Sequence, residues 1–347
     1  MFAIVLAVLS AMLFAGAAPA GKVMLASLPP FQLAGLFYLG AALGVSPMIV
    51  KSAAAREPWC FSAKTIKRLS VALMFGGVLA PVFLLLGLKV ASASSVSMWL
   101  TLEAVFTAVI ARFVFREHLL KVGWLSVALA TGAAVLLCVQ EGTSGLLAGC
   151  LSALACLCWG IDNNSTAIID GISPARITFL KGLAAGSTNF ILGLIFEPHV
   201  LTAETIGQAL LVGALAYGLS LTLYITAAQQ LGATRSQMIF ATAPFFGVMF
   251  SAIFLREALT SMQIVAGGVM GLAIYLLMND QHAHHHEHEE TEHIHMHSHD
   301  DGHHNHSHPG LPQTLRHSHW HRHEPHSHNH PHWPDLHHRH NHYADIY

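Results

Sequence analysis

Three runs of strictly alternating histidines are the part of this sequence best suited to chemistry: His293-x-His295-x-His297-x-His299, His317-x-His319-x-His321-x-His323 and His326-x-His328-x-His330-x-His332. Alternate side chains of an extended chain share one face. Two to four neutral imidazoles could therefore close around one Zn, Ni or Co ion, with Glu287, Glu289 or Asp300 adding oxygen ligands. Residues 281–347 hold 25 of the 27 histidines, all but His118 and His199. Their few apolar residues, among them Ile294, Leu311, Trp320 and Trp333, bury too little surface to offset chain entropy. This tail is expected to be disordered and to take up divalent metal ions reversibly, since order is gained at each binding event. Two other uses stay open: a charge brush that becomes positive below about pH 6.5, and a low-complexity extension with no selected role. The runs are too long, and too mixed with Ser, Asn, Pro and Asp, for a purification tag.

A second set of candidates lies in the apolar body. Glu103 falls near the middle of an apolar stretch, where a charge costs about 2.5–3.5 kcal/mol on insertion scales. It either exchanges a proton, pairs with a cationic group of a solute, or holds a neighbouring helix by a hydrogen bond. Lys181 lies about one turn into another such stretch; it snorkels to the surface on its long stem or lines a path. Asp162 and Asn163 open a run of five polar residues that ends at Thr166. Either the helix stops before them or they line a water-filled cavity. Pro81 and Pro244 free backbone carbonyls that broken helices turn toward a substrate, or they simply kink. Tyr217 is a further cavity candidate and Trp99 a possible stacking wall, each with plain packing as its alternative. Cys156 and Cys158 point about 200° apart on a helix and are read as core residues.

The elements that must position these residues are membrane helices. Only 10% of residues are charged, against about 25% in soluble domains. Mean hydropathy is +0.51 even with the polar tail included. Apolar runs give ten spans, near 2–20, 31–50, 69–88, 94–114, 122–140, 146–168, 177–196, 207–228, 234–254 and 262–279. The first contains Ala17-Ala18-Pro19-Ala20, which resembles a signal cleavage site, but no basic residue precedes it and the apolar run is too long.

With a cytoplasmic N-terminus, the inner loops collect Lys51, Arg56, Lys64, Lys67, Arg68, Arg112, Arg116, Lys121, Arg176 and Arg235. The outer ones keep only Lys22, Lys89 and Arg256. By the positive-inside rule the protein sits in the inner cell membrane with both termini, and hence the tail, in the cytoplasm.

The chain also repeats itself. A shift of 140 lays Met98 on Met238, Phe106 on Phe246 and Phe115-Arg116-Glu117 on Leu255-Arg256-Glu257. Each half (1–140 and 141–280) then holds five spans, and an odd number inserts the second half upside down, the plan of secondary transporters. Leu102-Glu103-Ala104-Val105-Phe106-Thr107 through Arg116-Glu117, and Ala243-Pro244-Phe245-Phe246 through Arg256-Glu257, resemble the EamA-type branch of the drug/metabolite transporter superfamily. The resemblance covers residues 1–280. It implies an all-α fold of ten helices in two inverted five-helix repeats, and movement of small organic solutes, often outward. The tail has no counterpart in it.

There is no His-Glu-x-x-His, no Gly-x-Ser-x-Gly and no phosphate-cradling Gly-rich loop, so neither an enzyme nor a nucleotide-driven pump is expected. The expectation is an exporter of a small solute, with the lipid bilayer, the solute or ion and divalent metals as partners and no nucleic acid. Export of Ni, Co or Zn itself, and a non-transporting metal sensor, are the alternatives. No cofactor is required, and a homodimer is compatible with the sequence.

Overall fold

The computed structural model describes residues 2–51, 62–114, 121–167, 169, 172–231, 239–279, 282–288, 291–297, 317–323 and 326–332. Among them, eight helices are long and apolar enough to cross a bilayer: α1 Ala3–Met24, α2 Pro30–Ile49, α3 Ala63–Val90, α4 Ala93–Val114, α5 Lys121–Gln140, α6 Gly142–Thr166, α7 Ala175–Phe196 and α8 Ala203–Tyr224. Two shorter apolar helices follow, α9 Ala243–Phe254 and α10 Ser261–Leu277.

The helices fall near the expected segments, with two differences. The ninth, expected over 234–254, is the short α9 beginning at Ala243, with residues 232–238 outside the described ones. α3 starts earlier, at Ala63, because the Ser62 hydroxyl accepts from the Thr65 amide and caps it. Lys64, Lys67 and Arg68 thus lie on its first two turns rather than in a loop.

Many small residues line the helix contacts, and many large ones lie on the outer surface, although Phe37, Leu85 and Trp99 are buried. Ala7, Ala34, Ala80, Ala155, Ala185 and Ala273 are buried, whereas Val5, Phe113, Val139, Phe196, Ile253 and Tyr275 are exposed. Lipid is as apolar as leucine, so helices associate where small side chains let backbones approach. The α2–α7 pair has the most extensive contact, joined by α1 with α8, α3 with α6, α4 with α9 and α5 with α10. In it, a Cβ on Gly186 would lie 2.7 Å from the Leu39 amide and 3.0 Å from the Gly35 carbonyl oxygen.

Three helices are irregular along their length, and a turn precedes a fourth. α3 winds as a π-helix over Leu73–Leu79, and α8 does so over Ala214–Leu219. α4 breaks at Leu100–Thr101, and the chain turns at Ala241–Thr242 before α9. At both breaks a threonine hydroxyl donates three residues back, Thr101 to the Met98 carbonyl at 2.8 Å and Thr242 to the Ile239 carbonyl at 2.6 Å.

Within the tail, the described residues are four short segments. These are β1 His282–His288, β2 Thr291–His297, β3 His317–His323 and β4 His326–His332, with β1 antiparallel to β4 and β2 to β3. The period-2 alternation that suits metal binding is also the strand period. Such two-stranded ribbons are marginal in water.

Replacing Gly186 by Leu drives a side chain into the α2 backbone, beyond the ordinary overpacking cost of about 1–3 kcal/mol. We expect this variant to lose its monodisperse peak on size exclusion in detergent. Gly132→Leu, where nothing lies within 4 Å of the added Cβ, should keep it.

Candidate functional site

The centre of the bundle is organised by a missing amide. In the π register of α3 the Gly76 carbonyl would be served by residue 81, and in the α register residue 81 would serve Gly77. Residue 81 is a proline and has no N–H to give. Side chains from three other helices supply the bonds instead. Tyr38 Oη donates to the Gly76 oxygen at 2.5 Å and Trp159 Nε1 at 3.2 Å. Asn189 Nδ2 donates to the oxygens of Gly77 and Val78, each at 3.2 Å. The carbonyls freed by Pro81 are therefore occupied by protein and do not face a solute.

Beside this segment lies the polar run of α6. The helix does not end before it, and Asp162, Asn163 and Asn164 each find a partner across a helix interface. Asp162 Oδ2 pairs with Lys181 Nζ at 2.5 Å, and Oδ1 accepts from the Thr166 hydroxyl at 2.9 Å. Asp162 is buried and Lys181 nearly so. Lys181 thus turns inward to a carboxylate rather than snorkelling to the surface. The pair has room because position 76 is glycine: a Cβ there would overlap the Asp162 carboxylate.

One residue on, Asn163 Nδ2 donates to Glu103 Oε1 at 2.9 Å and lies 3.4 Å from Thr107 Oγ1. Asn164 Nδ2 bonds the Thr107 and Gly160 carbonyls at 3.1 and 2.8 Å. These bonds tie α6 to α4.

Glu103 also lines a cavity between the two halves. The cavity is narrow, with a volume of about 30 Å³. Around Glu103 its wall is formed by both central breaks, Leu100 and Thr101 from α4 with Ala241, Ala243 and Pro244 near α9. Aromatic rings close another side. Phe14 lies 5.2 Å from Phe240 and 5.8 Å from Tyr217, centroid to centroid. Tyr217 continues to Tyr38 at 5.4 Å, and Phe14 to Trp159 at 6.2 Å. The set of rings thus runs from the cavity to the groups that hold Gly76. A carboxylate sharing a cavity wall with aromatic rings is a setting that attracts cations.

Of the sequence candidates, the structure brings Glu103, Tyr217 and Pro244 to the cavity wall. It sets Asn163, Asp162 and Lys181 directly behind Glu103. Trp99 is elsewhere: it is fully buried, with Nε1 3.3 Å from the Ala134 carbonyl and Cys156 donating to its own. Cys156 and Cys158 are buried, as expected of core residues. Phe14, Tyr38, Trp159, Phe240 and Gly76 were not singled out as site residues. The one cue to Gly76 was the Gly76-Gly77 pair four residues before Pro81.

In the tail, the register sets His293, His295 and His297 opposite His321, His319 and His317. It sets His326, His328, His330 and His332 opposite His288, His286, His284 and His282. His323 stands opposite Thr291, and His299 lies outside the described residues. Among the described residues, no three of His, Cys, Asp and Glu gather closely enough to hold a metal ion.

Residues 1–139 and 146–279 each match the EamA-like transporter family. An uncharacterized transporter of Methanothermobacter thermautotrophicus is 26% identical over 296 residues, covering 78% of this chain and 85% of that protein. A solved crystal structure superposes with a TM-score of 0.57 at 15% identity, over 79% of this chain and 96% of its own, and shares the fold.

Removing one partner of a buried ion pair costs about 3–5 kcal/mol, whereas removing both charges is often neutral. Lys181→Met should therefore lower the melting temperature in detergent sharply. Lys181→Met combined with Asp162→Asn should recover most of the loss. Equal melting of the single and double variants would mean that the ion pair contributes nothing.

Proposed function

The chain belongs to the EamA-like transporter family, and from that premise we propose that this membrane transporter exports a small solute bearing a cationic group through its central cavity. Glu103 is the group that binds the solute, and it takes up a proton when the solute leaves. The observation that carries this reading is the position of Glu103, a carboxylate in the cavity wall, backed by the Asn163 amide and sharing that wall with aromatic rings. Lys181 stays paired with Asp162 behind that wall, so Glu103 is left to face the solute. The membrane is the inner cell membrane with both chain ends in the cytoplasm, following the bias of the basic loops.

Two inverted five-helix repeats provide the two faces of access. Several features support this. Several packing pairs exchange when each helix is replaced by the one five places on: α1 with α8 becomes α6 with α3, while α2 with α7, α4 with α9 and α5 with α10 map onto themselves; the contact of α2 with α8 exchanges onto the smaller one of α7 with α3. The π segments of α3 and α8 and the breaks near 100 and 241 recur at the offset of the sequence repeat. Discontinuous helices meeting at the midplane are the usual substrate sites of such transporters.

The histidine tail is read as a cytoplasmic collector of Zn, Ni or Co that adjusts transport. A second reading, in which the metal is the cargo, is favoured by the tail alone. The body offers Glu103 to such an ion, but His, Asp and Cys do not converge with it among the described residues.

Purified full-length protein in liposomes tests both readings. Amine flux is expected, and Glu103→Gln should reduce it about 10- to 100-fold, the worth of one interaction with a charged group. Absence of flux for every amine and metal tried would sink the transport readings, and metal flux lost in Glu103→Gln would favour metal as cargo.

Truncation after Asp280 separates the tail from the body. The truncated protein should fold and carry amine at the full-length rate, and should no longer respond to added Zn. A metal response that survives truncation would remove the tail from regulation.

A further inference from the structure

At the end of the bundle away from the basic loops, a knot of polar bonds joins the two halves. The N-terminus of α4 leaves its first amides unpaired within the helix, and Glu257, from the α9–α10 connection, accepts them. Its Oε1 takes the Ala93 amide at 2.9 Å, and its Oε2 takes the Ser94 amide at 2.8 Å and the Ser94 hydroxyl at 2.6 Å. Arg256 turns the chain with φ of 55°, a left-handed conformation uncommon outside glycine, immediately before Glu257.

Further bonds surround this contact. Gln263 Nε2 donates to Ser95 Oγ at 2.8 Å, Ser95 donates to Glu141, and Gln140 Nε2 reaches Thr260 Oγ1 at 3.2 Å. Lys22 Nζ caps the end of α3 through the carbonyls of Leu88 at 2.6 Å and Ala91 at 2.8 Å.

One turn further in, α4 crosses α9 with Ser97 against Gly247, where an added Cβ would lie 2.6 Å from the Ser97 hydroxyl. That hydroxyl is buried and has no hydrogen-bond partner among the described residues. Ser97 and Gly247 are also wall residues of the cavity. The seam from Glu257 to Gly247 is therefore the end wall of the proposed solute site.

We propose that the Glu257 clasp on the N-terminus of α4 is a gate, released when the cavity opens toward this end. The bonds Glu257 makes are charge-assisted and close to the helix N-terminus, which favours the shut seam. Separation of α4 from α9 returns these amides to water and gives the Ser97 hydroxyl the partner it lacks when shut. The Ser97 hydroxyl thus offsets part of the cost of opening. Glu257 bridges from the second half to the first, so it reports their relative movement.

The inference rests on the cavity serving as a transport site, but access through the gate can be measured without any solute. In full-length protein with its five cysteines replaced, Thr101→Cys marks the cavity. A membrane-impermeant thiol reagent added from the clasp side should label it slowly. Adding Glu257→Gln should raise the rate about tenfold, one weakened charge-assisted contact expressed as a ratio. Glu257→Asp, which keeps the charge, should fall between the two and serves if the Gln variant aggregates.

In the reverse arm, Ser94→Cys joined to Glu257→Cys by a short bifunctional reagent should abolish both labelling and flux. Unchanged labelling in Glu257→Gln and Glu257→Asp, or full labelling through the cross-linked clasp, would overturn the gate. Labelling that follows the gate while no solute crosses would instead uphold the gate and overturn the transport reading.

Discussion

A backbone carbonyl within a bilayer has to be bonded inside the protein, because lipid offers no donor. Pro81 removes the donor that α3 would use for Gly76 and Gly77, and much of the bundle centre follows from replacing it. Tyr38 comes from α2, Trp159 from α6 and Asn189 from α7, and their bonds fix how these helices meet α3. The same segment must be glycine at position 76 for the Asp162 carboxylate to fit. Asp162 in turn holds Lys181, and its neighbour Asn163 holds Glu103. A local defect in one helix is thus connected, through four others, to the carboxylate in the cavity.

The polar run of α6 is consistent with this account. Five polar residues in a row would be untenable on a helix surrounded by lipid. Here their bonds run to α4, to α7 and to the helix itself, so the helix continues through them. The charged residues are paired or hydrogen-bonded, and one of them also reaches the cavity. This makes Glu103 the group whose partners can change without dismantling the frame. Its neighbours are rings, which can accept a cation without adding a charge of their own.

Much of the frame was legible in the sequence, since length and hydropathy mark helices that must each span about 30 Å. The start of α3 was not, because its first two turns carry Lys64, Lys67 and Arg68, which read as loop until the Ser62 cap is seen. Of the site, Glu103, Asp162, Asn163 and Lys181 stood out because polarity in lipid is costly wherever it lies in the fold. Their pairing was not legible: a lysine one turn into a span reads as a snorkelling residue unless a carboxylate is known to lie within reach. The aromatic wall was hidden for the opposite reason, since Phe14 and Phe240 are ordinary residues for a membrane helix and only tertiary packing brings them together. Trp99 shows the converse. Its size suggested a wall, and packing against α5 took it into the interior.

The two halves share a frame but not a charge pattern. At the shift of 140, Glu103 corresponds to Ala243, and the first turn of α9 carries no acidic residue. The ion pair of Asp162 and Lys181 lies wholly within the second half, while Glu103 comes from the first. Several helix pairs recur when each helix is replaced by the one five places on. The polar residues do not recur in this way. Polar residues are thus concentrated at the centre of α4, α6 and α7, while small residues let α2 and α7 approach along their seam. The bonds around Glu103 and the bonds of Glu257 to the start of α4 share no residue, so either set can be altered without touching the other.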